Sequence, residues 1–328
     1  MNNLGIPYMG SKRKLATDIL LFMIRKNPTA TKIYDIFGGG GAISFTALQM
    51  PQFEAVTYNE LDRRIFSLVE YIKNAQKHKK DHLELYKLGQ VYEDKLYEWV
   101  SRDRFKKEVA EEGWYAGFLQ SVWTFGNRGT SYLFGKEIEE YKRLGHMVAV
   151  YRDEESFGKL KVILPSLPKL ILSKNTIYQR RLIIFQCATE RKYKELQQLQ
   201  QLERLQQLQQ LERLQQLEQL QQLEQLQRLE ITNLSYADID PKSFDEKSIV
   251  YLDPPYINTA SYKEDGISHD DLYKWIAGIE VPVYLSSYES PLKPVKAMNH
   301  RTTLSAVPRE KEKSERTEWL FWNGKSII

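Results

Sequence analysis

The sequence has 328 residues, of which 42% are hydrophobic and 27% are charged, with a formal net charge of +4. This length and hydrophobic content allow one large domain or two smaller ones. A single cysteine, Cys187, excludes a disulfide framework and a cysteine-rich zinc site, and five histidines, of which only His78 and His82 have HxxxH spacing, argue against a metal enzyme.

The amino terminus, MNNLGIPYMGSKRK, lacks the apolar core of a signal peptide. The longest apolar run, residues 19–24, is too short to cross a bilayer. We therefore expect a cytoplasmic protein that binds neither a membrane nor a metal. Its mild positive charge permits a polyanionic partner.

The first predicted elements are a strand, a glycine turn and a helix. Residues 32–37, KIYDIF, are rich in strand formers, and GGGGA and the helix-like ISFTALQM follow them. Residues 54–59, EAVTYN, predict a second strand, and residues 63–74 place apolar side chains at helical spacing. This βαβα start predicts a parallel sheet with helices on its faces.

Four glycines, residues 38–41, stand where the first strand should become a helix, and they allow a close approach of the backbone to a ligand. A dinucleotide site would have a further glycine at position 43 or 44, where this chain has Ile43 or Ser44. Glu60 follows about 20 residues later, the separation at which an acid meets ribose hydroxyls in such folds. A ribose without phosphates suggests S-adenosylmethionine. The alternatives are a flexible loop and a solvated glutamate.

Residues 75–190 are charged, aromatic and mostly helical in composition, which predicts a second domain inserted into the first. In residues 196–229 leucine then occupies every third position, twelve times. The strong helix formers predict a long helix. Three residues turn a helix by about 300°, so the leucines wind around it instead of forming a coiled-coil face. We interpret the repeat as a rigid spacer, or as a helix that contacts several neighbours or its own copy in another subunit.

Strands resume at residues 248–253 and 281–286, with the helix-like SHDDLYKWIAGI between them. The first of these strands ends in DPPY, residues 253–256. Because two prolines stop both strand and helix, the chain presents a carboxylate, a rigid carbonyl and an aromatic ring together. This arrangement suits a grip on a flat polar molecule, and an ordinary proline turn is the alternative.

In combination these motifs resemble the Dam-like DNA adenine methyltransferases, particularly phage-type members, over nearly the whole chain. DIFGGGG resembles the family's cofactor loop, DPPY its catalytic tetrapeptide, and YMGSK at residues 8–12 its amino-terminal cofactor motif. YNELD at residues 58–62 resembles the ribose-binding segment, although Glu60 replaces the usual Asp. SYAD at residues 235–238 resembles the segment that contacts the cofactor adenine, and RTEWLFWN at residues 316–323 resembles the last strand.

The resemblance implies an α/β fold: a Rossmann-like class I methyltransferase sheet with an inserted, mainly helical DNA-recognition domain and a long Leu/Gln-repeat helix. The expected domains are a catalytic domain of residues 1–75 and 231–328, a target-recognition domain of residues 76–190 and a repeat helix of residues 191–230. The implied cofactor-binding residues are Tyr8, Lys12, Asp35, Phe37, Gly39, Gly41, Glu60, Asp238 and Asp253. The implied catalytic residues are Asp253, Pro254, Pro255 and Tyr256.

The implied reaction is methyl transfer from S-adenosylmethionine to the exocyclic amine of adenine in double-stranded DNA. The amine is a weak nucleophile because its lone pair is delocalised into the ring. Asp253 and the Pro254 carbonyl would accept its hydrogens and stabilise the charge that develops on nitrogen, and Tyr256 would stack on the base. A base inside a duplex cannot reach such a pocket, so flipping of the base is expected.

The stretch WTFGNRGTSYLFGKEIEEYKR, residues 123–143, mixes aromatic, glycine and basic residues and resembles the family's target-recognition segment. Asn127, Arg128 and Lys136 are expected to contact bases or phosphates. Tyr132 is expected to stack on or wedge between bases, as is Phe134. An aromatic-anchored surface loop is the structural alternative.

Other functions stay open at this stage. One is a methyltransferase that acts on RNA adenine, DNA cytosine or a protein glutamine, although the first residue of DPPY favours adenine. A second is a scaffold that uses the leucine repeat and carries a relic catalytic domain, with self-association through residues 196–229. The third, a general nucleotide-binding enzyme, is disfavoured by the missing phosphate-binding pattern.

Overall fold

The structure is a computed structural model, and it describes residues 4–8, 10–81, 98–124, 131–136, 138–174, 176–192, 224–255, 267–298 and 317–327. The chain divides into two compact units. The first unit comprises Met1–Gln76, Glu112–Gly117 and Gln216–Ile328, and the second comprises Lys77–Glu111 and Phe118–Gln215.

The first unit is built on a seven-stranded sheet with the strand order β3-β2-β1-β4-β5-β7-β6. The strands are β1 (Lys32–Asp35), β2 (Ala55–Asn59), β3 (Leu229–Thr232), β4 (Ser248–Leu252), β5 (Val283–Ser287), β6 (Lys293–Met298) and β7 (Glu318–Trp322). Strands β1 to β5 are parallel, and β7 runs antiparallel to β5 and β6. The mixed α/β architecture that the sequence predicts is therefore confirmed, and it is consistent with a methyltransferase fold.

The strand order creates a crevice at the carboxyl ends of β1 and β4. These two strands are neighbours, with Asp35 paired with Tyr251, but β2 and β3 extend the sheet in one direction and β5 in the other. In open α/β sheets such a reversal is the usual place for a ligand site. Because β7 is antiparallel, its first residue, Glu318, comes to this same edge of the sheet.

Helices cover both faces of the sheet in the first unit and form the body of the second. The described helices are α1 (Ala16–Lys26), α2 (Ala42–Leu48), α3 (Arg63–Asp81), α4 (Arg102–Glu108), α5 (Trp114–Val122), α6 (Glu139–His146), α7 (Glu154–Ile163), α8 (Ile177–Lys192) and α9 (His269–Gly278). Helix α9 begins at the Ser268 cap and buries Leu272, Trp275 and Ile276 in a core that includes side chains of β4 and β5. Full burial of one such apolar side chain contributes roughly 1.5–3 kcal/mol.

The second unit has an apolar core and an aromatic cluster. The core contains Leu144, Leu160 and Ile184 from α6, α7 and α8. The aromatic cluster consists of Trp99, Phe105, Trp123, Tyr132 and Phe134, whose rings contact one another in stacked, tilted or edge-to-face pairs at centroid distances between 5.4 and 6.3 Å.

The predicted repeat helix is wrong at its carboxyl end. Glu224–Arg228 form a 3₁₀ turn, and the last repeat leucine, Leu229, begins strand β3. Leu226 and Leu229 are each 1% exposed, and the Arg228 guanidinium donates to the carbonyl oxygens of Phe53 (2.6 Å) and Leu48. These contacts, and pairing with β2, outweigh the helix preference of the last repeat units. The rest of the predicted helix, residues 196–223, lies outside the described residues.

Candidate active site

The glycine turn after β1 is closed by a hydrogen bond from the Gly41 amide to the Gly38 carbonyl, at 2.7 Å. Gly41 has φ +69°, a conformation that favours glycine. A Cβ on Gly40 would lie 2.3 Å from the Ile6 carbonyl oxygen, and one on Gly38 would lie 2.2 Å from the Tyr58 ring. Glycine is therefore required at residues 38 and 40 in part because Tyr58 and Ile6 lie too close for a side chain.

The amino-terminal segment packs directly on this turn. The Ile6 amide donates to the Gly40 carbonyl at 2.6 Å, and the Tyr8 ring lies 3.0 Å from the position of a Cβ on Gly39. Residues 4–7 are buried. This packing brings Tyr8 to the predicted cofactor loop and leads the chain to Lys12, so the two predicted cofactor motifs meet in space.

Glu60, which follows β2, is fixed beside the glycine turn by backbone donors. Its Oε2 accepts from the Gly39 amide at 2.6 Å, and its Oε1 accepts from the Asp62 amide at 2.9 Å. Burial raises the pKa of Glu60 to about 7, although these hydrogen bonds oppose the shift. The carboxylate is therefore oriented, and it takes up a proton near neutral pH.

Asp35, the last residue of β1, is also buried at this edge, at 1% exposure. Its Oδ2 accepts from the Ser44 hydroxyl at 2.7 Å and from the Ser44 amide at 3.2 Å, near the start of α2. Burial raises the pKa of Asp35 to about 7, and the negative charge of Asp253 adds to this rise. The hydrogen bonds from Ser44 oppose it. Asp35 thus ties β1 to α2 behind the glycine turn.

Asn59 links the chain segments at the carboxyl ends of β1, β2 and β3. No sequence motif predicts it as a site residue. Its amide nitrogen donates to the carbonyls of Ile36 and Leu234, both at 2.9 Å, and its Oδ1 accepts from the Thr232 hydroxyl at 2.8 Å. A buried amide at a strand end was the available signal. Asn59 holds the segment after β3 against the glycine turn.

That segment carries the predicted adenine contact, Asp238. Tyr236–Asp238 form a 3₁₀ turn, and the Asp238 side chain is exposed. The rings of Phe37 and Tyr236 lie 5.8 Å apart at a tilt of 42°. The structure therefore places Phe37 and Asp238 near each other at the carboxyl edge, and it adds Tyr236 to that surface.

Asp253 follows β4 and is held by Lys12. The Lys12 ammonium lies 2.9 Å from Oδ1 and 2.8 Å from Oδ2 of Asp253, and 3.0 Å from Oε1 of Glu318. Burial alone would lower the pKa of Lys12, but the charges of Asp253 and Glu318 outweigh it and raise that pKa above its ordinary value. Glu318 thus lies at the candidate site, and no sequence motif predicts it there. A lone acid at the start of the apolar strand EWLFW was the signal for it.

The prolines after Asp253 complete the described part of the tetrapeptide. Pro254 is buried and Pro255 is partly exposed, and the Pro255 backbone hydrogen-bonds His269 at the start of α9. Burial lowers the pKa of His269, and this hydrogen bond opposes the shift. Tyr256 lies outside the described residues.

In the second unit, the predicted recognition segment is anchored by its aromatic residues. Tyr132 is 8% exposed, its hydroxyl donates to the Val100 carbonyl at 2.7 Å, and its ring lies 4.9 Å from the Arg102 guanidinium. Phe134 is 3% exposed. Lys136 is exposed, whereas Asn127 and Arg128 lie outside the described residues. Stacking of Tyr132 on a base would require the ring to leave the aromatic cluster.

Across the described ranges, no group of three or more His, Cys, Asp or Glu side chains is arranged to hold a metal ion. No helix in the part of the chain that the structure describes is long and apolar enough to cross a membrane.

Residues 8–116 match the family model of the D12 class N6 adenine-specific DNA methyltransferases. The matched segment contains Lys12, the glycine turn and Glu60, and Asp253 lies outside it. No curated protein matches the chain. The match to residues 8–116 confirms the predicted resemblance to the Dam-like adenine methyltransferases and indicates an adenine-specific DNA methyltransferase.

Proposed function

We propose that this enzyme transfers a methyl group from S-adenosylmethionine to the exocyclic amine of adenine in double-stranded DNA, after the target base has been flipped out of the helix. The observation that carries the proposal is the position of Asp253 and Pro254. They follow β4 directly beside the glycine turn that follows β1, at the switch point of the sheet. A base held by Asp253 would therefore face a cofactor held by the glycine turn.

The residues at the edge fit the cofactor. When bound, S-adenosylmethionine would supply an activated methyl group on a cationic sulfur. Glu60 accepts hydrogen bonds from the backbone of Gly39, Asp62 and Leu61, and a carboxylate has about four lone-pair positions, so it retains an acceptor for a ribose hydroxyl. The buried Ser11 hydroxyl has no partner among the described residues. Tyr8, Phe37 and Asp238 would complete the site, with the backbone of Gly39 and Gly41 close to the ligand.

Asp253 and Pro254 would act on the nucleophile. Their oxygens accept the two amine hydrogens and draw the nitrogen toward tetrahedral geometry, which frees its lone pair. The freed lone pair would then face the activated methyl group of a bound cofactor. The proton that nitrogen then loses passes to Asp253 and from there to water. Pro255 stiffens the turn, and Tyr256 stacks on the base. Positioning and charge stabilisation supply the rate.

The distribution of charge supports DNA as the substrate and the second unit as the part that reads it. The second unit carries 25 Lys and Arg against 18 Asp and Glu, a net charge of +7. The first unit carries 22 against 25, a net charge of −3. Neutralisation of phosphates provides most of the sequence-independent affinity for DNA. We propose that residues 76–190 bind DNA, with Asn127, Arg128 and Lys136 in contact and Tyr132 as an anchor of the segment.

The Leu/Gln repeat has two proposed roles, as a spacer and as a surface for self-association. Its leucines surround the predicted helix, so a second copy could pack on any side. Sedimentation of the full chain and of a variant lacking residues 196–223 tests the second role.

The proposed function is tested by methyl transfer from tritiated S-adenosylmethionine to unmethylated plasmid DNA. We expect Asp253→Ala to lower the single-turnover rate at least roughly 10²- to 10³-fold. Asp245→Ala is the matched control, because Asp245 lies at the other end of β4 and pairs with Lys32 at 2.8 Å. Label in N6-methyladenine of duplex DNA supports the proposal. Transfer to RNA alone, to cytosine or to protein would contradict it, as would a fully active Asp253→Ala.

A further inference from the structure

Glu318 is the first residue of β7, and its burial is unusual for an acid. Its side chain is 4% exposed, and its Oε1 lies 3.0 Å from the Lys12 ammonium, which is also 4% exposed. A buried carboxylate is costly unless it is paired and hydrogen-bonded. An apolar side chain would therefore fill the position of Glu318 at a lower cost in free energy.

The Lys12 ammonium is shared between two carboxylates. Its three protons face three carboxylate oxygens within 3.0 Å, two of Asp253 and one of Glu318, and the Gly10 carbonyl is at 3.4 Å. One cation between two anions leaves the Lys12–Asp253–Glu318 cluster with a net charge of −1. Asp253 is the most exposed member, at 18%, so this charge faces the crevice.

The ionisation states of Lys12 and Tyr251 support a net charge of −1 on the Lys12–Asp253–Glu318 cluster. Burial lowers the pKa of Lys12, but the charges of Asp253 and Glu318 outweigh burial and raise that pKa above its ordinary value. Burial raises the pKa of Tyr251, and the same two charges add to the rise. Lys12 therefore stays charged and Tyr251 stays neutral. The Tyr251 hydroxyl is hydrogen-bonded to the Ser286 hydroxyl at 2.6 Å.

We propose that Glu318 is a positioning residue for methyl transfer: it holds the Lys12 ammonium between the two carboxylates and so keeps the cluster around Asp253 negatively charged. This inference rests on the proposed function of Asp253. Lys12 paired with Asp253 alone would neutralise the group that must accept an amine proton. With Glu318 present, positive charge that develops on the adenine nitrogen meets a net negative cluster.

The sheet topology explains how a residue more than 60 positions from Asp253 along the chain reaches it. Strand β7 is antiparallel to β5, with Trp319 opposite Ser287, so β7 begins where the parallel strands end. A parallel β7 would place its first residue at the opposite edge. The reversed last strand thus delivers the carboxylate to the crevice.

The test compares Glu318→Gln with Asp18→Asn. Both variants remove a carboxylate that pairs with a lysine, since Asp18 lies 2.7 Å from Lys296. We expect Glu318→Gln to lower the single-turnover rate about 10- to 100-fold, by analogy with the loss of groups that orient metal ligands. Its dissociation constant for sinefungin, measured by calorimetry, and its midpoint of thermal unfolding should stay near those of the wild type. Asp18→Asn should keep the wild-type rate.

A double-mutant cycle tests whether Glu318 acts through Lys12. In a Lys12→Gln background, Glu318→Gln should cause little further loss of rate. Multiplicative losses would overturn the route through Lys12. A Glu318→Gln rate equal to that of the wild type, or parallel losses of rate, sinefungin binding and thermal stability, would overturn the positioning role. If the wild type fails to methylate DNA, the proposed function itself is at fault.

Discussion

The two units bury charge of opposite sign and use it for different purposes. Among the described residues, the buried acids Asp35, Glu60 and Glu318 all belong to the first unit, together with Lys12. The buried charged residues described in the second unit are the bases Lys142 and Arg180, besides His146. In the first unit the acids line the crevice at the carboxyl edge of the sheet.

In the second unit the basic groups tie the backbone together. The Arg180 guanidinium donates to the carbonyls of Ala149 and Lys174, both at 2.5 Å, and Arg102 donates to the carbonyl of Phe134. A guanidinium carries five donors in a fixed geometry and suits this role. The first unit thus buries acids at the crevice of the proposed reaction, whereas buried basic groups of the second unit join segments of its backbone.

The largest difference between the units should appear in the free energy of unfolding when one glycine in each unit is replaced by alanine. We expect Gly40→Ala to lower the free energy of unfolding by about 1–3 kcal/mol or more, because the new Cβ would lie 2.3 Å from the Ile6 carbonyl oxygen. Gly158→Ala in α7, where a Cβ meets nothing within 4 Å, should raise it by about 0.5–1 kcal/mol. Urea unfolding measures both values. Equal changes in the free energy of unfolding for the two variants would show that the glycine turn of the first unit is no more tightly packed than helix α7 of the second.

A second experiment tests the cost of burying Glu60. Its pKa is about 7 in the folded protein and 4.5 without the fold, so folding favours the protonated form. The contribution of Glu60 to stability is therefore greatest below pH 4.5 and is lost as the pH rises through about 7. Relative to Glu60→Gln, the wild type should lose roughly 2–3 kcal/mol of unfolding free energy between pH 4.5 and pH 8.

Urea unfolding of the wild type and Glu60→Gln from pH 4.5 to pH 8 gives this difference in unfolding free energy. Loss of one backbone hydrogen bond in the Gln variant adds an offset that does not depend on pH. Glu230→Gln, a change at an exposed acid, should follow the wild-type curve. A constant difference between Glu60→Gln and the wild type would show that Glu60 stays ionised throughout.

The smallest effect is expected in the second unit. Tyr132→Phe removes the 2.7 Å hydrogen bond to the Val100 carbonyl and should lower the free energy of unfolding by about 1–2 kcal/mol. DNA affinity should stay within about threefold, because the hydroxyl and ring are buried. A large loss of DNA affinity with unchanged stability would instead make Tyr132 a direct DNA contact.

The parts of the fold that the sequence predicts are those with strong local patterns. The glycine run after KIYDIF and the prolines after VYL mark the ends of β1 and β4 because few side chains allow such turns. Strand β3 was missed because LEIT continues a helix-forming repeat. Strand β6 was missed because KPVKAM carries a proline and two lysines, which suit an exposed edge strand.

The candidate site was only partly predictable for a related reason. Motif spacing placed Lys12, Glu60 and Asp253 at the crevice. Glu318 and Asn59 depend on which strands become neighbours, which local patterns do not specify. Tyr132 shows the converse, because an aromatic side chain suited to base stacking is equally suited to a core, and only tertiary packing decides between them.

The attachment of the repeat to β3 has a consequence for how this gene can change. Leu226, Arg228 and Leu229 alone make the described contacts that seat the last repeat unit against the sheet. Every repeat unit is three residues long. Duplication or deletion of whole three-codon repeat units upstream therefore leaves the same three side chains at the junction with β3. Repeat number can therefore drift between lineages while the catalytic sheet is inherited unaltered.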